Sequence, residues 1–196
     1  MELSIAVADD HLLKLVGLLT PSFSVRAQVG NGLKSFVCEQ LGVHEVYFEE
    51  RIQTIFLDNK PVDDVATALV HDGSVLALSA AMPGLVGATF RKGGQYSWMR
   101  QAISHEGDDS KGETTHGWVT VKLFNMVLKE LGPGFLTRGV WVDGRRVQDF
   151  VNNQPQAFWQ HIQALPLDGT PISPEAFLAR DLSGTSIFLK VRSFTE

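Results

Sequence analysis

The chain has one cysteine, two tyrosines, and only 17 lysines and arginines against 22 aspartates and glutamates. A lone thiol, Cys38, cannot close an internal disulfide and fits a reducing compartment. The shortage of base leaves a net charge of −5, and the basic residues are scattered. The chain therefore lacks the clustered Lys and Arg with which a protein displaces counterions from nucleic-acid phosphates. No apolar run reaches the length needed to cross a bilayer. The opening MELSIAVADD has no basic stretch, and its acids come too early for a secretory leader, so none is expected. The H-E-x-x-H, C-x-x-C and G-x-S-x-G patterns are absent. These absences predict a cytoplasmic protein without nucleic-acid or membrane partners.

What is present suits a folded protein. The hydrophobic fraction is 44% and the charged fraction 20%, ordinary values for a globule rather than a disordered chain. LSIAVA reads as a strand, and DDHLLKLVGLL as a helix capped by Asp9 or Asp10 and ended by Pro21. FSVRAQV alternates like a half-buried strand, and Gly30-Asn31-Gly32 turns the chain into the helix LKSFVCEQL. Leu33, Phe36, Val37 and Leu41 share one face of that helix, and Gly42 stands at its C-cap. EVYFEERIQTIFLD reads as extended, Asp58-Asn59-Lys60-Pro61 as a turn, and SVLALSA as a buried strand. Residues 83–117 turn Gly-rich and polar around a short helix candidate, QYSWMRQAI, and form a linker or functional loop region.

Past this region the pattern recurs. TVKLFNMVLKELG can be laid on NGLKSFVCEQLG, matching Leu33 to Leu123, Val37 to Val127 and Leu41-Gly42 to Leu131-Gly132. LDGTPISPEAFLARDLSGTSIFLKV can be laid on LDNKPVDDVATALVHDGSVLALS, matching Leu57-Asp58 to Leu167-Asp168, Pro61 to Pro171 and Val62 to Ile172. The second stretch carries an insertion with an amphipathic helix candidate, PQAFWQHIQAL. A rival register sets VWVDGRRVQDF on IFLDNKPVDDV. The expectation is an internal duplication with units at 1–112 and 113–196.

The LGV that ends the first helix, FLDNKPV at a hairpin, HDGSVLAL entering a strand, and the Pro-Gly tail together make residues 23–87 resemble the sulfur-carrier proteins of thiamin and molybdopterin biosynthesis. These are small ubiquitin-like β-grasp domains. The resemblance implies an α+β fold of tandem β-grasp-like, mixed-sheet units, the second divergent with a helical insertion. Carrier chemistry resides in a terminal Gly-Gly carboxylate. Here Gly84 and Gly87 are separated and the chain runs on, so the motif is expected to serve as scaffold. The alternative is processing after FRKGG at Gly94. A second resemblance, of LSIAVADDHLLKLVGLL and FSVRAQVGNG to bacterial receiver domains, implies Mg²⁺ at Asp9 and Asp10, phosphoryl acceptance by Asp58, and a contact from Ser79. That family's sheet is wholly parallel. Capping explains Asp9 and Asp10 without metal.

Other groups yield to plainer readings. His105, Glu106, Asp108, Asp109, Glu113 and His116 fit neither zinc nor calcium spacing and read as a solvated loop. Cys38 lies beside Glu39, late in its helix, and reads as inert packing. Gly30 and Gly32 fail G-x-G-x-x-G, because Ser35 replaces the third glycine. Trp98, Trp118, Trp141 and Trp159 read as core or interface, with partner binding the minority use. No catalytic, cofactor-binding or metal residue is assigned. The expected function is a non-catalytic binding or interaction module with a protein partner, homo-oligomerisation remaining open.

Overall fold

In a computed structural model, residues 1–81, 84–92, 94–95, 104–105 and 114–194 are described. The chain runs through β1 Glu2–Ala8, α1 Asp9–Leu15, β2 Phe23–Val29, β3 Asn31–Gly32, α2 Leu33–Ser35, α3 Glu45–Glu50, β4 Thr54–Leu57, β5 Lys60–Pro61 and β6 Leu69–Val70. It continues through β7 Val75–Ser79, α4 Gly84–Phe90, β8 Thr115–Phe124, α5 Asn125–Arg138, β9 Val140–Asp143, α6 Gly144–Asn152 and α7 Gln156–Trp159. It ends with β10 Ile162–Ala164, β11 Pro166–Leu167, β12 Thr170–Pro171, α8 Pro174–Leu178 and β13 Ser186–Phe194. The fold is mixed α+β. Among the described residues no helix is long and apolar enough to cross a membrane.

Contacts gather the chain into two compact units. A central unit holds Ser24–Leu128, and a terminal unit combines Met1–Phe23 with Lys129–Glu196. This grouping cuts the chain elsewhere than the expected boundary at residues 112 and 113, which itself lies outside the described residues.

In the central unit the strand order is β5-β4-β7-β8-β2. β4 is antiparallel to β5 and to β7, and β7 is parallel to β8. Alternation dictates the two faces. Ile55, Leu57, Leu76, Leu78, Val119, Val121 and Leu123 bury one face, together with Leu33, Phe36 and Val37 from α2 and the π turn that continues it. The interleaved residues Phe56, Val75, Ala77, Lys122 and Phe124 carry the opposite face. Leu41 is buried and Gly42 has φ 65°, so the expected C-cap is there.

In the terminal unit the order is β12-β11-β1-β13-β9, with β10 also pairing β1. β1 is parallel to β13, while β11 with β1 and β13 with β9 are antiparallel. Details of the central sheet recur here. Asp58 N donates to Val75 O at 2.9 Å and Val75 N donates to Asp58 Oδ1 at 2.7 Å. Likewise Asp168 N donates to Glu2 O at 2.8 Å and Glu2 N to Asp168 Oδ1 at 2.7 Å. Both aspartates sit in two-residue hairpin turns with positive φ, 52° and 48°, which Asx side chains tolerate. Val62 N to Ile55 O is matched by Ile172 N to Leu165 O, and Thr120 N to Ser74 O by Phe188 N to Met1 O. Leu57 faces Leu76, which pairs with Val121; Leu167 faces Leu3, which pairs with Leu189.

This register corrects part of the sequence matching. The hairpin match of Leu57-Asp58 with Leu167-Asp168 agrees with the geometry, but β13 stands where β8 stands, and β1 where β7 stands. SIFLKV therefore does not correspond to SVLALS in position. Leu123 is in a strand while Leu33 is in a helix, and Gly132 lies inside α5 while Gly42 follows a helix. The rival register fails too, because Asp143 N-caps α6, accepting from Arg146 N, rather than turning a hairpin.

Several local expectations also change. Residues 45–50, read as extended, are helical because the His44 side chain accepts from Val46 N and caps them, while Phe48 buries one face. The N-cap of α1 is Ala8, and Asp9 is the first helical residue. PQAFWQHIQAL makes one short helix over Gln156–Trp159 and then a strand. Phe158 is buried, but β1 claims the following residues as a pairing partner. Gly84–Phe90 is a helix rather than open linker, and the helix candidate in QYSWMRQAI lies outside the described residues.

Candidate functional site

The outward sheet face of the central unit carries a cavity of about 590 Å³. Its walls are Phe56 from β4, Val75, Ala77 and Ser79 from β7, Lys122 and Phe124 from β8, Phe90 from α4, and the flanking Asn59 and Asn125. Register brings them together: Phe56 faces Ala77, which pairs with Lys122, and Ser79 pairs with Phe124. Phe56 and Phe90 approach at 5.3 Å between ring centroids, tilted by 49°, a favourable arrangement for an aromatic pair. Size and apolar walls match those of small-molecule sites.

The polar groups are few. Asn125 Nδ2 donates to Ser79 Oγ at 3.4 Å. Thr54, opposite Ser79 in the ladder, is 1% exposed, and its Oγ1 has no hydrogen-bond partner among the described residues. Among the described residues Lys122 is the one charged residue of the lining. Among the described residues the walls contain no carboxylate, imidazole or thiol and no metal-binding set; Lys122 and the Ser79 hydroxyl are the groups there that can exchange a proton.

The matching strands of the terminal unit supply an internal comparison. A smaller cleft of about 290 Å³ lies there, lined by Glu2, Ser4, Ile5, Ala6, Ala164, Pro166, Gly169 and Arg192. By register, Pro166 occupies the place of Phe56, Glu2 that of Val75, Ser4 that of Ala77 and Arg192 that of Phe124. One strand plan thus carries a polar surface in one unit and an aromatic hollow in the other. The fold does not require the aromatic wall.

The residues singled out from sequence lie elsewhere or bear other tasks. Asp58 sits in a hairpin turn, its carboxylate taken up by Val75 N and by Ser74 Oγ at 3.1 Å. Ser79 lies on a strand with one parallel and one antiparallel neighbour, unlike the wholly parallel sheet that the receiver resemblance implies. His105 N donates to Pro61 O, and His116 is exposed on β8; Glu106, Asp108, Asp109 and Glu113 lie outside the described residues. Among those described, no three His, Cys, Asp or Glu residues gather as a metal site. Gly94 N donates to Arg91 O, and Gly93 lies outside the described residues.

Cys38 is half-buried, and desolvation pushes its thiol pKa up. Nearby, Lys34 pairs with Glu45 and, at 2.8 Å, with Glu49; the hydrogen bonds to both carboxylates hold its pKa above the ordinary lysine value. This is an exposed cluster of little energetic weight. Burial lowers the Lys92 pKa, and its ammonium lies 4.8 Å from the Phe48 ring centre. Trp141 packs on Phe188 and Trp159 on Phe158, with ring centroids 5.3 and 5.5 Å apart. Trp118 is exposed, as are Phe124 and Met126; Trp98 lies outside the described residues.

Of the lining, the sequence singled out Ser79 alone, and for another role. The alternation in WVTVKLF, with Val119, Val121 and Leu123 on one face and Trp118, Lys122 and Phe124 on the other, was the available signal, but nothing in it names the partner strand. The chain matches no family model, no curated protein and no solved structure.

Proposed function

We propose that the chain is a non-catalytic binding module built on two β-grasp-like units related by internal duplication, and that the central unit's cavity is its binding site. The carrying observation is the hollow walled by Phe56, Phe90 and Phe124, where the terminal unit has Pro166 and Arg192 at the places of Phe56 and Phe124. Among the described residues the lining pairs no nucleophile with a base, Ser79 Oγ being bonded to the Asn125 amide rather than to Lys122, and this favours binding over catalysis. The grasp reading rests on mixed sheets in both units and on their shared hairpin hydrogen bonds. A screen of neutral and anionic aromatic and aliphatic compounds by thermal shift tests the binding reading. Saturable stabilisation that Ala77→Trp abolishes supports it, whereas no stabilisation by any compound contradicts it.

A protein partner is a second reading, favoured by Trp118, Phe124 and Met126, which are 43%, 46% and 44% exposed. Trp118 and Phe124 alternate with buried residues on β8 and so project from the face that bears the cavity. Such aromatics anchor protein interfaces. A second copy of the chain is the simplest partner to test. Light scattering on wild type and on Trp118→Ser/Phe124→Ser distinguishes a homo-oligomer held by this patch from a monomer.

A further inference from the structure

Resting on the binding reading above, we infer that the ligand of the central cavity is a small amphiphile with an apolar, ring-bearing or branched body and one anionic head, the head held by Lys122. The wall chemistry divides in two. Phe56, Phe90 and Phe124 with Val75 and Ala77 offer only carbon, and transferring an apolar body onto them from water is favourable in proportion to the area covered. Lys122 stands among them as a cation in register with Ala77, half-buried and without an ion-pair or hydrogen-bond partner among the described residues. An ammonium in an apolar, partly dry setting is stabilised by an anion, and the described residues of the lining supply none.

The terminal unit shows that this pairing is particular to the cavity. At the register position of Lys122 it has Lys190, but its cleft is lined by one cation and one anion, Arg192 and Glu2. The central hollow instead joins an unbalanced cation to a large apolar surface, which is complementary to a monoanion with an apolar body. A dianion or a cation would be left partly or wholly unpaired there. Ser79 Oγ and the Asn59 and Asn125 amides remain to orient the head.

A matched probe pair tests this: 8-anilino-1-naphthalenesulfonate, and N-phenyl-1-naphthylamine, which has the same ring skeleton without the sulfonate. Each is titrated by fluorescence into the full chain, into Lys122→Met and into Ala77→Trp, with a thermal melt confirming that each variant folds. Val75→Trp, which fills the same hollow from the neighbouring position, replaces Ala77→Trp if that variant does not fold. The expected result is one saturable site, anionic probe tighter than neutral, with the preference falling about tenfold in Lys122→Met and weakening with added salt. Both probes should lose the site when Trp fills the hollow. If the cavity-filling variant abolishes binding but the neutral probe is bound as tightly as the anion, or Lys122→Met leaves the preference intact, the ligand class is wrong and cavity binding stands. If neither probe binds saturably, or the filled variant binds both as before, the binding reading itself falls.

Discussion

Replacing Asp58 separates the two tasks its side chain performs. Its carboxylate accepts from Val75 N at 2.7 Å and from Ser74 Oγ at 3.1 Å, and its backbone holds φ 52°. Alanine loses both acceptors and keeps the strain. Hydrogen bonds to a charged group contribute about 1.5–3 kcal/mol each. Water can replace the exposed carboxylate at Val75 N, but Ser74 is 3% exposed, so its hydroxyl loses more. The expected cost of Asp58→Ala is about 2–3 kcal/mol. Glycine also loses the acceptors but relieves the backbone by about 1 kcal/mol. Asparagine keeps an acceptor oxygen and tolerates positive φ, so it should cost under about 1 kcal/mol. The order wild type, Asn, Gly, Ala is measured by urea unfolding followed by circular dichroism at shared slope. At Asp168, which accepts the single bond from Glu2 N, the order should recur with a smaller span. If Asp58→Gly equals or exceeds Asp58→Asn, the carboxylate contributes nothing and the reasoning fails.

Gly139→Ala should be far more damaging than Gly169→Ala in the terminal unit. A Cβ at Gly139 would overlap the Phe188 ring at φ 96°, whereas at Gly169, φ 78°, nothing lies within 4 Å; the expected losses by urea midpoint are above about 3 kcal/mol and about 1 kcal/mol respectively. Cys38 should react with iodoacetamide more slowly than free cysteine at neutral pH, because burial raises its pKa and the thiolate is the nucleophile. The rate should keep climbing past the pH at which the free thiol levels off. Since the raised pKa keeps the folded chain protonated longer, ionisation of the unfolded thiol also lowers stability as pH rises above the free value. A plateau coinciding with that of free cysteine would contradict the burial.

Local chemistry was legible in the sequence where it acts over a few residues. Leu-Asp-Asn and Leu-Asp-Gly announced both hairpins, since few residues besides Asp, Asn and Gly accept positive φ. The apolar spacing of Leu33, Phe36, Val37 and Leu41 gave a buried face, although its later part, Phe36–Gln40, is wound as a π turn. What failed depended on distant partners. Residues 45–50 look extended from their aromatic and β-branched members, yet the His44 cap and the burial of Phe48 decide for helix. The final strand looked like a copy of β7, because apolar alternation is common to all such strands; only pairing with β1 and β9 shows that it fills the position of β8. The cavity was hidden for the same reason, its wall being assembled from β4, β7, β8 and α4, which lie far apart in sequence.

The most direct test of the account is an amide-resolved NMR titration of the full chain with 8-anilino-1-naphthalenesulfonate. Chemical-shift changes should concentrate at Phe56, Ala77, Ser79, Lys122 and Phe124, saturating together with one affinity. Changes centred on the Glu2 and Arg192 cleft, or spread without saturation over the exposed Trp118 and Met126, would contradict it.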